Sequence, residues 1–152
     1  MAKRILAVDD EPSIVKLVTA ALTAKGYEVI PAYNGEEALD KVHLDPPDLI
    51  VCDIMMPRMD GREVQRRLAA DPKTKNIPFI FLSAVGDLDK QLNTLEQGGA
   101  EYLTKPFKPS DLAEYVEALL DPSKRGEVEK LRQQHVGKLR TMTNIMHRGQ
   151  GF

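Results

Sequence analysis

Apolar residues gather along this chain in short unbroken runs, and the runs end alike. Ile5-Leu6-Ala7-Val8 stops at Asp9 and Asp10, and Leu49-Ile50-Val51-Cys52 stops at Asp53. Pro78-Phe79-Ile80-Phe81-Leu82 stops at Ser83, and Ala100-Glu101-Tyr102-Leu103-Thr104 stops at Lys105. Runs of this length suit strands buried on both faces. Residues 27–32 read as one more strand, second in chain order. Between the strands the rhythm turns helical. Ile14, Leu17, Val18, Ala21 and Leu22 share one helix face behind an acidic start with Pro12, and Gly26 stops that helix. Asn34-Gly35 turns into a helix carrying Ala38, Leu39 and Val42, which Pro46-Pro47 breaks. Asp60-Gly61 caps a third helix running through Ala70. Leu88, Leu92 and Leu95 mark a weaker fourth, and Ser110 or Asp111 caps a fifth with Leu112, Tyr115, Val116, Leu119 and Leu120 on one face.

Strand and helix thus alternate five times. Near-continuous apolar strands joined by helical crossovers predict a parallel sheet covered on both faces. Right-handed crossovers then make it an α/β doubly wound fold. In such sheets ligands bind beyond the carboxyl ends of the strands, where the strand order reverses. Asp9, Asp10, Asp53, Ser83 and Lys105 all fall on that edge.

Composition adds bounds. With 152 residues, 42% hydrophobic and 29% charged, the chain has the make-up of one soluble globular domain with some length to spare. Only four apolar residues follow Lys3-Arg4 before Asp9, too few for a signal peptide, and no run nears the roughly 18 needed to span a membrane. No membrane insertion is expected. Cys52 is the single cysteine and sits in an apolar run, so it reads as a small buried hydrophobe, and a cytoplasmic location is expected. His43, His135 and His147 lack zinc spacing and read as surface or helix-face residues. Charge is uneven. After Pro122, seven bases face only Glu127 and Glu129, so this segment carries +5 and the remainder −7.

Clustered carboxylates cannot all ionise cheaply at neutral pH. A hard cation relieves them, and oxygen ligation suits Mg²⁺. A divalent ion, a lysine and a hydroxyl at one edge make a clamp for phosphoryl oxygens, and a carboxylate can itself be the nucleophile. Asp53, on a central strand, is the best candidate. The segments Val8-Asp9-Asp10-Glu11-Pro12, Asp53-Ile54-Met55-Met56-Pro57-Arg58-Met59-Asp60-Gly61, Leu82-Ser83-Ala84 and Tyr102-Leu103-Thr104-Lys105-Pro106-Phe107 resemble the signature of two-component response-regulator receiver domains. The resemblance covers residues 3–121.

It implies a flavodoxin-like five-stranded sheet of order 2-1-3-4-5, with Asp53 accepting a phosphoryl group from a sensor histidine kinase or phosphotransfer protein. It implies Mg²⁺ held by Asp10, Asp53 and the Met55 backbone carbonyl, with Asp9 reaching it through water. Lys105 would contact the phosphoryl group beside a cis bond to Pro106. Ser83 would swing toward that group, and Tyr102 would move inward. Such a protein catalyses only its own phosphorylation and dephosphorylation. Met55 and Val85 lie where family members flank the path of attacking water, and both are apolar here, so a long-lived phosphorylated state is expected. A phosphohydrolase working through an aspartyl phosphate is the enzyme rival, but these usually carry Asp-x-Asp and position 55 is Met. A nucleotide-binding module is disfavoured because no Gly-x-Gly-x-x-Gly or Walker loop follows the first strand.

Residues 1–121 are therefore expected to form the receiver and 122–152 a basic amphipathic extension. In the latter, Val128, Leu131, His135, Leu139, Met142 and Met146 recur at steps of three or four, beside Val136 and Ile145. They predict a helix weakened at Gly137. Its stripe must be covered. The helix is expected to dock on the receiver, pair with a second copy or meet a downstream protein; a frayed, solvated extension is the bland alternative, and nucleic acid contact is a less favoured use of the +5 charge. The face between the fourth and fifth helices is the other expected output surface.

Overall fold

The computed structural model describes residues 2–84 and 101–150, and in the last helix not the side chains of 138, 139, 142–144 and 146–150. Its elements run β1 (Arg4–Val8), α1 (Pro12–Thr23), β2 (Glu28–Ala32), α2 (Gly35–Leu44), β3 (Leu49–Asp53), α3 (Gly61–Ala69), β4 (Phe79–Ser83), β5 (Glu101–Thr104), α4 (Pro109–Leu120), a 3-10 turn (Pro122–Lys124) and α5 (Arg125–Gln150). The strands form one sheet in the order β2-β1-β3-β4-β5, with every pairing parallel. The expected order holds. The helix expected around Leu88, Leu92 and Leu95, and Val85 with it, lie outside the described residues.

Two apolar layers hold the sheet. On one face Leu6, Val8, Ile50, Cys52, Phe79 and Phe81 pack against Ala38, Val42, Val64 and Leu68 of α2 and α3. On the other Ile5, Ala7, Leu49, Val51, Ile80 and Leu82 pack against α1 and α4. Alternate residues of each strand feed alternate layers, as the two-residue period of a strand requires. β3 is buried at all five positions because both its neighbours and both faces are covered.

The helix starts follow local chemistry. Asn34 and Asp60 cap α2 and α3, accepting from the Glu37 and Glu63 amides. α4 departs from expectation. Neither Ser110 nor Asp111 caps it; the cap falls two residues before Ser110, at Lys108, with Pro109, whose fixed φ suits a first helical residue, just inside. Gly26, at φ +91°, takes the chain out of α1 into β2 in a left-handed conformation open to glycine at no steric cost. Gly137 does not interrupt α5, which runs on through it. Among the described residues no helix is long and apolar enough to cross a membrane.

Candidate functional site

Register builds the site. Val8 pairs with Cys52, so the residues that follow them, Asp9 and Asp53, emerge side by side at the carboxyl edge. Asp53 pairs with Leu82 and Ser83 with Thr104, which brings Ser83 and then Lys105 onto the same edge. β1 and β3 are the strands at which the order reverses, the place where open α/β sheets bind ligands.

Asp9 and Asp53 are buried and Asp10 is exposed, and each offers a carboxylate oxygen within 4.8 Å of the others. Lys105 Nζ stands 3.0 Å from Asp9 Oδ2 and 3.2 Å from Asp53 Oδ1. One amine thus faces two buried acids, with the exposed carboxylate of Asp10 beside them. Burial, then the negative field of Asp9, raises the Asp53 carboxyl from 3.8 to about 6, against the opposing pull of Lys105. Burial likewise raises Asp9, although the Glu11 amide and Lys105 work the other way. Burial alone would lower the Lys105 amine, but its bond to Asp9 and the charges of Asp53 and Asp9 outweigh that and raise it. The cluster is short of positive charge. Three oxygen donors with surplus negative charge are the donor set that suits a hard divalent cation.

The loop after β3 is tightly packed beneath Asp53. The Gly61 amide donates to the Ile54 carbonyl at 2.9 Å, and a Cβ on Gly61 would lie 2.3 Å from the Asp53 carbonyl oxygen. That approach excludes any side chain. Arg58 in the same loop holds φ +67°, uncommon for a residue with a Cβ. Met55 points outward, 65% exposed, at the mouth of the site.

Ser83 is fully buried at the end of β4, its hydroxyl donating to the Ala84 carbonyl at 3.4 Å. The Lys105 amide donates to the Ser83 carbonyl at 2.7 Å, and the Lys105–Pro106 bond is cis. Tyr102 is buried beside Phe81, with ring centroids 5.1 Å apart. Asp9, Asp10, Asp53, Ser83 and Lys105 therefore gather at one edge, and Tyr102 sits one layer behind.

A profile of the response regulator receiver domain matches residues 5–117. The chain belongs to this family. It is 43% identical over 120 residues to the alkaline phosphatase synthesis transcriptional regulatory protein PhoP of Bacillus subtilis, a match covering 79% of this chain and 49% of that one. To the phosphate regulon transcriptional regulatory protein PhoB of Pseudomonas aeruginosa it is 40% identical over 129 residues, covering 85% of this chain and 56% of that one. The chain spans about half the length of the curated relatives it matches. Among solved structures, a response regulator from Chloroflexus aurantiacus superposes with TM-score 0.73 at 35% identity, over 79% of this chain and 98% of the other. Chemotaxis protein CheY4 of Vibrio cholerae superposes with TM-score 0.70 at 32% identity, over 79% and 100%. Receiver domains generally bind Mg²⁺, and the Asp9, Asp10 and Asp53 cluster is compatible with it.

Sequence reasoning missed a second cluster. Glu101, at the start of β5, is buried, and Arg132 of α5 reaches it with a fork, Nε donating to Oε1 at 2.9 Å while Nη2 also bonds Oε1. The Tyr115 hydroxyl donates to the other oxygen, Oε2. Burial and the Glu101 charge raise the Tyr115 phenol well above its ordinary range. Around this clamp the described part of the tail docks on the receiver: Val136 joins the core layer of Phe81 and Tyr102, and Leu131 packs on the opposite layer. His135, expected on a surface or helix face, is buried there, while His43 is exposed as expected. The signal available was a carboxylate inside an apolar run, which needs a buried partner.

Proposed function

We propose that this chain is a phosphorylation switch of a two-component pathway in which Asp53 accepts a phosphoryl group from the phosphohistidine of a sensor kinase or phosphotransfer protein. The observation that carries the reading is the Asp53 carboxylate 3.2 Å from the Lys105 amine and beside Asp9 and Asp10, at the sheet's switch point. An Asp53 oxygen forms a bond to phosphorus as the phosphorus–nitrogen bond of the phosphoimidazole breaks. The imidazole leaves with the bonding pair and takes up a proton. Lys105 offsets charge on the phosphoryl oxygens, and the Ser83 hydroxyl, at the adjacent strand end, bonds one of them. Asp10, Asp53 and the Met55 carbonyl would hold Mg²⁺, with Asp9 behind water. When bound, the ion neutralises the phosphoryl charge. Output follows through protein contact, with a downstream protein or a second copy, once Ser83 and Tyr102 rearrange.

The phosphohydrolase alternative gains nothing from the geometry, since position 55 offers an exposed methionine and no acid. Apolar side chains at positions 55 and 85, Met55 and Val85, slow hydrolysis of the acyl phosphate. Incubation with a small-molecule phosphoryl donor and Mg²⁺, followed by intact mass, tests the assignment. We expect one added phosphoryl group, none in Asp53→Asn, and a decay that quickens at least about tenfold, or roughly 1.4 kcal/mol of barrier, when Met55→Asn and Val85→Glu are combined. Phosphorylation that persists in Asp53→Asn overturns the acceptor; an unchanged decay overturns the role of Met55 and Val85.

A further inference from the structure

β5 links the two acidic clusters. Glu101 opens this four-residue strand and holds Arg132 of the tail; Lys105 directly follows its last residue and holds Asp9 and Asp53. β5 lies at the edge of the sheet, hydrogen-bonded to β4 on one side. α5 packs beside it, with Leu131 against the layer on one face and Val136 against the layer on the other. We infer that the outer edge of β5 is a docking surface for α5, and that a phosphoryl group on Asp53 releases the helix from it.

The sign follows from the two kinds of contact. The clamp is fitted to the position of β5 that accompanies a free Asp53 carboxylate, with the Lys105 amine resting between Asp9 and Asp53. A phosphoryl group forms an acyl phosphate with one Asp53 oxygen, so the single charge of the carboxylate gives way to up to about two on the phosphoryl oxygens, a net gain of about one placed farther out from the strand. The amine must then re-pair with the phosphoryl oxygens and draws the end of β5 with it. An ammonium is a point charge on a flexible stem and tolerates such a shift, whereas a guanidinium fork on a carboxylate is planar and directional. Movement of the strand therefore preserves the site and weakens the clamp. A pocket of about 80 Å³, partly open to solvent, borders the docked interface between Leu103 and Tyr115 on one side and Leu131, Gln134 and His135 on the other. Coupling of this kind is reciprocal, so loosening the clamp must favour occupancy at Asp53.

The inference rests on Asp53 being the acceptor, and the full chain with Mg²⁺ and beryllofluoride, a phosphoryl mimic, separates the two. Fluorine resonance reports bound mimic, and amide exchange reports residues 126–136. Bound mimic is expected to speed exchange there by about fivefold or more, and Arg132→Ala to tighten binding of the mimic by a similar factor. Should Arg132→Ala prove too unstable to titrate, Arg132→Lys, which keeps the charge and loses the fork, carries the same direction. A bound signal that depends on Asp53 while exchange is unchanged or slower overturns the coupling and leaves the acceptor standing. Mimic binding unchanged in the variant overturns it equally. A bound signal that survives Asp53→Asn, or none at all, overturns the acceptor and the coupling together.

Discussion

At the carboxyl end of β5 one amine lies in a cluster of three carboxylates and pairs with two of them; at its amino end one carboxylate is served by a guanidinium fork and a phenol. Both clusters bury charge on the same strand, and desolvation penalises both. They differ in compensation. The clamp gives buried Glu101 a guanidinium and a phenol, and the same guanidinium reaches exposed Glu129 as well, so the buried charge is answered and its geometry is a stable end point. The cluster around Asp53 carries surplus negative charge, so it gains from an incoming cation and from anything that spreads that charge. Surplus charge, more than burial itself, distinguishes the site built to bind from the site built to hold.

Removing the surplus should have the largest effect. An acid whose pKa is raised on folding costs stability once it ionises, so the cost of Asp53 grows between its ordinary 3.8 and about 6 and is complete above that. With Mg²⁺ chelated, Asp53→Asn should therefore stabilise the protein at pH 8 by about 2–3 kcal/mol. The gain should shrink through that window and vanish near pH 3. Urea denaturation at a series of pH values measures it. A variant no more stable than the parent at pH 8 would mean that Lys105 compensates all three acids and that the two clusters are alike.

Breaking the matched cluster should act in the opposite direction and less strongly. Arg132→Ala strips Glu101 of its cation, but the guanidinium is partly exposed and the tail can lift to let water reach the carboxylate. A loss of about 1–2 kcal/mol is expected, below the cost of stranding a fully buried charge. Combining it with Glu101→Gln, which keeps an acceptor for the Tyr115 hydroxyl, should cost less than the two separate losses added together. A double-mutant cycle reads that difference directly. Strict additivity would show that Arg132 and Glu101 contribute independently.

The same contrast explains what could be read from the chain. The sheet and the Asp53 site were legible because each depends on local features: an apolar run, a polar residue at its carboxyl end, a crossover helix of ordinary length. Parallel register then aligns those ends without further information, and Asp9, Asp53, Ser83 and Lys105 meet where strand ends must meet. The clamp was not legible. Glu101 passes for one polar residue in an apolar run and Arg132 for one of seven bases, and their pairing depends on where α5 lands. Gly61 read as part of a cap, because its closeness to the Asp53 carbonyl exists only once β3 and α3 are packed. At α4, proline geometry at Pro109 outweighed the side-chain caps that Ser110 and Asp111 offered. Docking was one of the uses the amphipathic stripe allowed. The pattern required a cover for the stripe and named none.

The smallest effect belongs to a pair that looks strong by distance. Lys124 Nζ lies 2.6 Å from Glu117 Oε1, where the tail leaves the receiver, with the two side chains 40% and 55% exposed. Water screens such a pair and side-chain ordering opposes it, so proximity carries little energy. Lys124→Ala should leave the urea midpoint unchanged within error, and should leave amide exchange across 126–136 unchanged. A shift as large as that of Arg132→Ala would mean that the tail is held at its root and that Glu101 merely follows. If Lys124→Ala is silent while Arg132→Ala loosens the helix, the tail is fixed where its charge is buried, on the strand that also carries Tyr102 and runs to Lys105.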